Sequence, residues 1–110
     1  MEHRRSSRTS LRQHVGLDSP RTGSFSAYTH DLSLGGMFIE IASLALPPNT
    51  PVKVSFTLPG NAHGRVFVLE ASVVRRGSNG LGLMFLQMEQ DQIRALSGAL
   101  AELHEPGALK

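Results

Sequence analysis

The sequence predicts a mainly β domain, a small antiparallel barrel of about six strands followed by one C-terminal α-helix. Short stretches in which apolar and polar residues alternate recur along the chain, and turn residues, including 11 Gly and 6 Pro, separate them. One stretch near the C-terminus shows helical spacing of its apolar residues. The length of 110 residues and the hydrophobic content of 40% suit a single folded domain.

The first half of the chain predicts three strands. Residues 11–17 alternate weakly and end at a turn that we predict at Asp18-Ser19-Pro20. Residues 25–30 alternate more clearly, and residues 37–41 do so after two glycines. These segments are long enough for neighbouring strands of one sheet.

The second half predicts three more strands. We expect residues 47–51 to form a connecting loop, because proline lacks the N–H group that a strand ladder needs. Residues 52–58 alternate strictly and give the clearest half-buried strand. Residues 66–74 and 81–86 are predicted as a hairpin that turns at Ser78-Asn79-Gly80.

A single amphipathic helix is predicted over residues 90–104. Its apolar positions, three and four residues apart, are Ile93, Leu96, Leu100 and Leu103. Pro106-Gly107 ends the helix, and we expect residues 105–110 to be a frayed tail. Residues 11–104 are thus predicted to form one domain.

The N-terminal segment, residues 1–10, is polar and rich in arginine. Arg4, Arg5 and Arg8 fall within five residues, and only small polar residues lie between them. No hydrophobic anchor precedes Leu11, so we expect a flexible arm in the free protein.

A second polar motif, Asp-x-Ser-x-x-Gly, lies between the second and third predicted strands. Asp31 and Ser33 are two residues apart, so they share one face if the backbone there is extended. Gly35 and Gly36 leave main-chain N–H groups open to a flat or anionic ligand. The same residues also fit an ordinary turn, in which Asp and Ser side chains accept hydrogen bonds from nearby backbone. The two interpretations are compatible.

Arg4 and Arg8, in an Arg-x-x-x-Arg pattern upstream of Asp-x-Ser-x-x-Gly, make the chain resemble the PilZ domain, a bacterial receptor module for cyclic di-GMP. The resemblance covers nearly the whole chain, including the Asn-Gly-Leu-Gly-Leu-Met-Phe strand and the C-terminal helix. It implies the same barrel architecture and a ligand site to which the arm belongs.

The residues that the resemblance assigns to cyclic di-GMP are Arg4, Arg5, Arg8, Asp31, Ser33 and Gly36. The ligand carries two phosphodiester charges and two guanines, and arginine offers forked donors for both phosphate oxygens and the guanine O6/N7 edge. Arg4 and Arg8 would bind from one side, and Arg5 would add charge. Asp31 would accept from guanine N–H groups.

Ser33 would donate to phosphate or guanine, and Gly36 would permit close approach of the ligand. Arg75 and Arg76 precede the predicted hairpin turn. Stacking on a base is one role for them, but we favour solvent-facing positions, and their roles stay open. His3 precedes Arg4 at a position that influences stoichiometry in the family, and histidine there leaves one nucleotide or a stacked pair open.

We expect no catalytic activity. His30 and Asp31 are adjacent, and neighbours on an extended strand face opposite sides. The Asp31 carboxylate therefore cannot orient the His30 ring locally as a general base of the Ser-His-Asp type. The five His residues lack metal-ligand spacing, so we expect neither a metal nor a cofactor.

The charge and hydropathy of the chain limit the classes of binding partner that we expect. The net charge of +2 is mild and concentrated near the N-terminus. No run of eighteen apolar residues and no secretory signal are present, so we expect a cytoplasmic protein without a membrane partner. The absence of Cys is compatible with that compartment.

The function hypothesis is a cyclic di-GMP receptor that changes its surface on ligand binding and acts on a downstream protein partner. It would regulate a bacterial process such as motility, biofilm formation or exopolysaccharide production. The alternative is a PilZ-like adaptor that acts by protein contacts without nucleotide. A nucleic-acid-binding barrel is not favoured, because one Tyr and five scattered Phe give no stacking platform.

Overall fold

The computed structural model describes residues 8–41, 46–58 and 65–104. In these residues the mainly β prediction is confirmed: six antiparallel strands close a barrel, one short strand extends it, and one helix follows. Arg4 and Arg5 lie outside the described residues.

Within the described residues, seven strands are followed by one helix. They are β1 Thr9–Ser10, β2 His14–Ser19, β3 Gly23–Leu32, β4 Gly36–Glu40, β5 Pro51–Phe56, β6 Phe67–Arg76, β7 Gly80–Phe85 and α1 Gln90–His104.

The barrel closes because β3 and β4 pair with each other at the two ends of the strand order. That order runs β3, β2, β5, β6, β7, β4, and every pairing is antiparallel. Closure leaves no free sheet edge among these six strands. β1 pairs with the end of β3, where Thr9 lies opposite Leu32 and Ser10 opposite Asp31.

Thr29 on β3 fixes the chain between β1 and β2. Its backbone N–H donates to the Gln13 carbonyl at 2.9 Å, and its hydroxyl oxygen accepts from the Gln13 N–H at 2.9 Å. The hydroxyl also donates to the Leu11 carbonyl. Residues 11–13 are therefore bound to β3 although they are not part of a strand.

The core lies inside the barrel and follows the predicted alternation. Val52, Val54 and Phe56 of β5 are buried, and the residues between them are not. Leu96 and Ala99 of α1 pack on the same core. Each large apolar side chain that is fully buried contributes roughly 1.5–3 kcal/mol relative to exposure.

Several strand boundaries differ from the sequence predictions. β2 continues to Ser19, because Asp18 and Ser19 pair with Ser24 and Gly23, and the turn follows them. Pro51 is the first residue of β5, opposite Ser72, so placing it in the connecting loop was wrong. The first position of a strand tolerates proline. The first predicted strand, residues 11–17, begins only at His14, as β2. Thr9 and Ser10, which were predicted to belong to the flexible arm, form β1, so the arm prediction was wrong for these two residues.

Candidate functional site

The two sequence motifs meet at the outer end of β3. Arg8 directly precedes β1, and the pairing of β1 with β3 brings it beside Asp31. Its Nη1 donates to Asp31 Oδ1 at 2.5 Å. The Arg8 side chain is 51% exposed and that of Asp31 19%. The contact therefore lies at the surface, within reach of a ligand.

His30 also contacts Asp31, which the sequence did not predict. Its Nδ1 lies 3.3 Å from Asp31 Oδ2. Thr29 and Asp31 face the consecutive β4 residues Ile39 and Phe38, so His30 is the extra residue of a β-bulge. The bulge interrupts the alternation of side chains, and the expectation that His30 and Asp31 face opposite sides was wrong.

Ser33 is buried and forms the turn between β3 and β4. Its hydroxyl oxygen accepts from the N–H groups of Gly35 and Gly36, both at 3.2 Å. The hydroxyl donates to the Gly36 carbonyl at 3.3 Å, and the Ser33 N–H donates to the same carbonyl at 2.8 Å. Both glycine N–H groups that the sequence left open to a ligand are thus used by Ser33. The turn interpretation describes this part of the motif.

The close approach of β7 leaves no room for a side chain at Gly36. A Cβ at this position would lie 2.0 Å from the Leu83 carbonyl oxygen of β7. At Gly35 a Cβ would meet only the Ser33 hydroxyl, at 4.0 Å. The absence of a side chain at Gly36 therefore has a packing cause that is independent of any ligand.

An aromatic ring lies beside Asp31, and a second arginine lies beside that ring. Phe38 of β4 is the cross-strand partner of Asp31. The His30 ring meets the Phe38 ring edge-on, with centroids 6.1 Å apart and planes at 88°. The guanidinium carbon of Arg75 lies 5.5 Å from the Phe38 ring centroid. The sequence signal for Phe38 was an aromatic residue at an outward position of an alternating strand.

The family model for the PilZ domain matches residues 2–102 of this chain. The chain belongs to the PilZ domain family. The predicted resemblance is thereby confirmed over nearly the whole sequence. No curated protein matches the chain in sequence.

Solved PilZ structures share the fold. The PilZ domain of YcgR from Escherichia coli, with c-di-GMP, is 20% identical and has a TM-score of 0.71, with 99% of this chain and 100% of that chain covered. The PilZ domain of CeSA from a cellulose-synthesizing bacterium is 20% identical, with a TM-score of 0.71 and coverage of 90% and 100%.

The inhibitor of motility MotI/DgrA from Bacillus subtilis is 19% identical, with a TM-score of 0.75 and 93% of this chain covered. This PilZ domain spans about half, 51%, of that protein. The likeness confirms the barrel and its helix as a PilZ fold.

The next arginine of this PilZ domain after Arg8 is engaged elsewhere. The guanidinium carbon of Arg12 lies 4.0 Å from the Tyr28 ring centroid, and its Nε lies 3.9 Å from Glu40 Oε1. The His14 ring meets Tyr28 edge-on at 5.4 Å. Arg12 is therefore not part of the Arg8 and Asp31 surface.

Two further properties concern the described part of the chain. No cluster of three or more His, Cys, Asp or Glu side chains with the geometry to bind a metal occurs among residues 8–41, 46–58 and 65–104. No helix within these ranges is long and apolar enough to cross a membrane.

Proposed function

We propose that this PilZ domain is a cyclic di-GMP receptor whose site lies between the N-terminal arginines and the outer end of β3. The observation that carries the proposal is the contact between Arg8 and Asp31. It joins two motifs that are 23 residues apart in the sequence, at a surface position. The solved relative from Escherichia coli that holds c-di-GMP supports the same ligand for this family member.

The chemistry of Arg8 suits a phosphodiester. A guanidinium has five N–H donors in a planar fork, and one contact with Asp31 Oδ1 leaves donors for phosphate oxygens. Asp31 thus orients the guanidinium without using all of it. Asp31 retains acceptor capacity for guanine N–H groups. Arg4 and Arg5 add cationic donors from the same arm.

Ser33 and Gly36 contribute by holding the turn that ends β3. The Ser33 hydroxyl is occupied by the backbone of Gly35 and Gly36, and Gly36 lets β4 pack against β7. We propose that they keep Asp31 in place, and that their contribution to affinity comes mainly through the turn.

Binding would change the surface by ordering the arm. Thr9 and Ser10, which the sequence placed in the arm, form β1, so the ordering concerns the residues before Thr9. Ligand binding changes the population of the ordered arm only if it favours that state. A downstream protein in the cytoplasm would bind the resulting surface, and motility, biofilm formation or exopolysaccharide production would be the regulated process.

Calorimetric titration with cyclic di-GMP at two salt concentrations tests the proposal. We expect saturable binding that weakens as salt rises, because phosphate contacts with arginine are screened. A chain that lacks residues 1–8 should lose most of the affinity. Hydrogen exchange should show fast amides at residues 4–7 without ligand and slower exchange with it.

The adaptor alternative makes the opposite prediction. Ser33 and Gly36 have structural reasons to be present, so their presence does not require a ligand. If the full chain shows no binding, or if the shortened chain binds equally tightly, the receptor proposal fails. The adaptor that acts by protein contacts then becomes the better description.

A further inference from the structure

His30 lies on the ligand-facing surface because it is the extra residue of the bulge in β3. A bulge interrupts the alternation of side chains, and here it places the imidazole beside the Asp31 carboxylate. The His30 side chain is 60% exposed. It therefore lies at the surface where Arg8 meets Asp31, although neither sequence motif includes it.

Two contacts set the orientation of the His30 imidazole. Its Nδ1 lies 3.3 Å from Asp31 Oδ2, and the ring meets the Phe38 ring edge-on, with planes at 88°. An ionised carboxylate only accepts hydrogen bonds, so the nitrogen that faces it is the one that carries the proton. In the neutral ring Nε2 then has a lone pair. Within the described residues Nε2 has no hydrogen-bond partner, so it is open to a ligand.

Protonation changes what Nε2 offers to a ligand. In the neutral ring Nε2 is an acceptor, and a phosphate oxygen is an acceptor too, so the two do not bond. An imidazolium donates from both nitrogens. It can keep its contact with Asp31 and also donate to a phosphate oxygen or to the guanine O6/N7 edge. Histidine ordinarily makes this change between about pH 5 and pH 8.

The charged groups nearest His30 decide which protonation state the ligand favours. Asp31 follows it on β3, and Arg8, before β1, contacts Asp31. From β4 the uncharged Phe38 faces the imidazole, and the guanidinium carbon of Arg75 on β6 lies 5.5 Å from the centroid of that ring. Without ligand, a protonated His30 would join two cations and one carboxylate. An anion with two phosphodiester charges reverses this balance and favours the imidazolium.

The next charged groups on this face largely cancel each other. Glu40 of β4 lies opposite Tyr28, and its Oε1 lies 3.9 Å from Arg12 Nε. The Arg12 guanidinium also stacks on the Tyr28 ring. This pair therefore adds little net charge near His30, and the ligand remains the main influence on its protonation.

We propose that His30 is a further ligand-binding residue outside the two sequence motifs: its imidazolium donates through Nε2 to cyclic di-GMP, and Asp31 holds the ring through Nδ1. The inference rests on the proposed function and adds a protonation-dependent contact to it. Because the anion binds the protonated form better, the extra affinity is present at low pH and is lost as the pH rises through the histidine range.

Calorimetric titration of the full chain with cyclic di-GMP at about pH 8 and about pH 6 tests the contact. Carboxylates ordinarily stay ionised over this interval. A charge-assisted contact at a partly exposed site predicts that wild-type affinity rises by roughly 2- to 6-fold at the lower pH. His30→Gln should bind almost equally at both, because glutamine still donates to Asp31 but does not titrate.

Two further variants sharpen this measurement. His14→Gln is the matched control, since His14 is exposed on the neighbouring strand β2 and contacts the Tyr28 ring. It should keep the pH dependence of the wild type. His30→Arg carries a permanent charge, so its affinity should not depend on pH and should match or exceed that of the wild type at about pH 8.

Proton uptake gives an independent measurement. Calorimetry at about pH 6.5, in buffers of different ionisation enthalpy, should show that the protein takes up a fraction of a proton per bound ligand. The phosphodiesters stay ionised over this range, so the proton goes to the protein. His30→Gln should abolish the uptake, and thermal melting of the same variant checks that the barrel is folded.

The outcomes separate this inference from the proposed function. If the wild type binds equally well at both pH values and takes up no proton, the His30 contact is overturned and the receptor function stands. A pH dependence that persists in His30→Gln, or that is lost in His3→Gln, would assign it to another group and also overturn the inference. A wild type that binds at neither pH overturns the function, and the inference with it.

Discussion

The two ends of the Asp-x-Ser-x-x-Gly motif differ in what their side chains contact. Asp31 lies at the surface, between the Arg8 guanidinium and the His30 ring. Ser33 is only 2% exposed, and within the described residues its hydroxyl forms hydrogen bonds to Gly35 and Gly36 of the turn. Gly36 contacts the backbone of β7.

This difference separates ligand recognition from turn formation within six residues. A chain can keep Ser33 and Gly36 because its barrel needs them, whether or not it binds a nucleotide. Asp31 and Arg8 have no comparable packing reason among the described residues, so they are the better indicators of a ligand. We therefore expect stability to depend on Ser33 and Gly36, and binding to depend on Asp31 and the arginines.

Gly36→Ala should have the largest effect, and it should act on stability. The new Cβ would lie 2.0 Å from the Leu83 carbonyl oxygen, so β4 or β7 must move. We expect a loss of about 3 kcal/mol or more in the free energy of unfolding. The thermal midpoint should then fall by roughly 12 °C or more.

Gly35→Ala is the control for that variant, because its Cβ would meet only the Ser33 hydroxyl, at 4.0 Å. Its midpoint should stay within a few degrees of the wild type, at a cost below about 1 kcal/mol. Equal losses in the two variants would show that the turn as a whole, and not the contact with β7, sets the requirement for glycine.

Arg8→Ala and Arg4→Ala should each weaken the binding of cyclic di-GMP by roughly 1.5–3 kcal/mol, the range for charge-assisted hydrogen bonds. The midpoint of the free protein should hardly change, since the Arg8 side chain is half exposed. Calorimetry and thermal melting give the two values. Arg21→Ala, in the exposed turn before β3, is a control for net charge and should leave affinity within about twofold.

A fall of several degrees in the midpoint of ligand-free Arg8→Ala would contradict this division. It would mean that the arm next to β1 is part of the folded core. Unchanged affinity in both variants would remove the arginines from the site.

Ser33→Ala should act on stability first. It removes the acceptor of the Gly35 and Gly36 N–H groups inside the turn. We expect a loss of about 1–3 kcal/mol in the free energy of unfolding, measured by denaturant titration. The affinity for nucleotide should fall less than in Arg8→Ala. Ser24→Ala, whose hydroxyl is bonded at an exposed position, should cost below about 0.5 kcal/mol.

If Ser33→Ala loses binding more strongly than Arg8→Ala and keeps its stability, the hydroxyl contacts the ligand directly. The original assignment of Ser33 as a donor to phosphate or guanine would then be correct, and the turn would have to open on binding.

The sequence predicted most of the fold because the barrel depends on local patterns. The strict alternation of residues 52–58 is found in β5, Pro51–Phe56, and the spacing of Leu96 and its neighbours gave the helix over 90–104. Where the prediction failed, the cause was pairing between strands. Pro51 is tolerated only because it opens a strand, and no sequence pattern shows where a partner strand begins.

The site was predicted less completely for the same reason. The motifs identified Arg8 and Asp31, but a β-bulge at His30 depends on how β3 and β4 pair. That bulge turned His30 toward Asp31. The position of Phe38 beneath Arg75 likewise arises from the cross-strand register of β4, β7 and β6. Arg4 and Arg5 lie outside the described residues, and their assignment stays a prediction.

Asp31→Asn should have the smallest effect on stability and separates the two ends of the motif most clearly. Asparagine keeps the shape and removes the charge that faces Arg8. A partly exposed ion pair contributes about 0–1 kcal/mol, so the midpoint of the free protein should fall by a few degrees at most. In about 1 M salt, where the Debye length is near 3 Å, that difference should shrink.

Affinity for cyclic di-GMP should fall more than stability does, because in the proposed site Asp31 both orients Arg8 and accepts hydrogen bonds from guanine. Glu40→Gln, which removes the carboxylate beside Arg12, is the matched control and should leave affinity unchanged. A large loss of stability for Asp31→Asn that persists in high salt would instead assign Asp31 to the fold, and the division between the two ends of the motif would not hold.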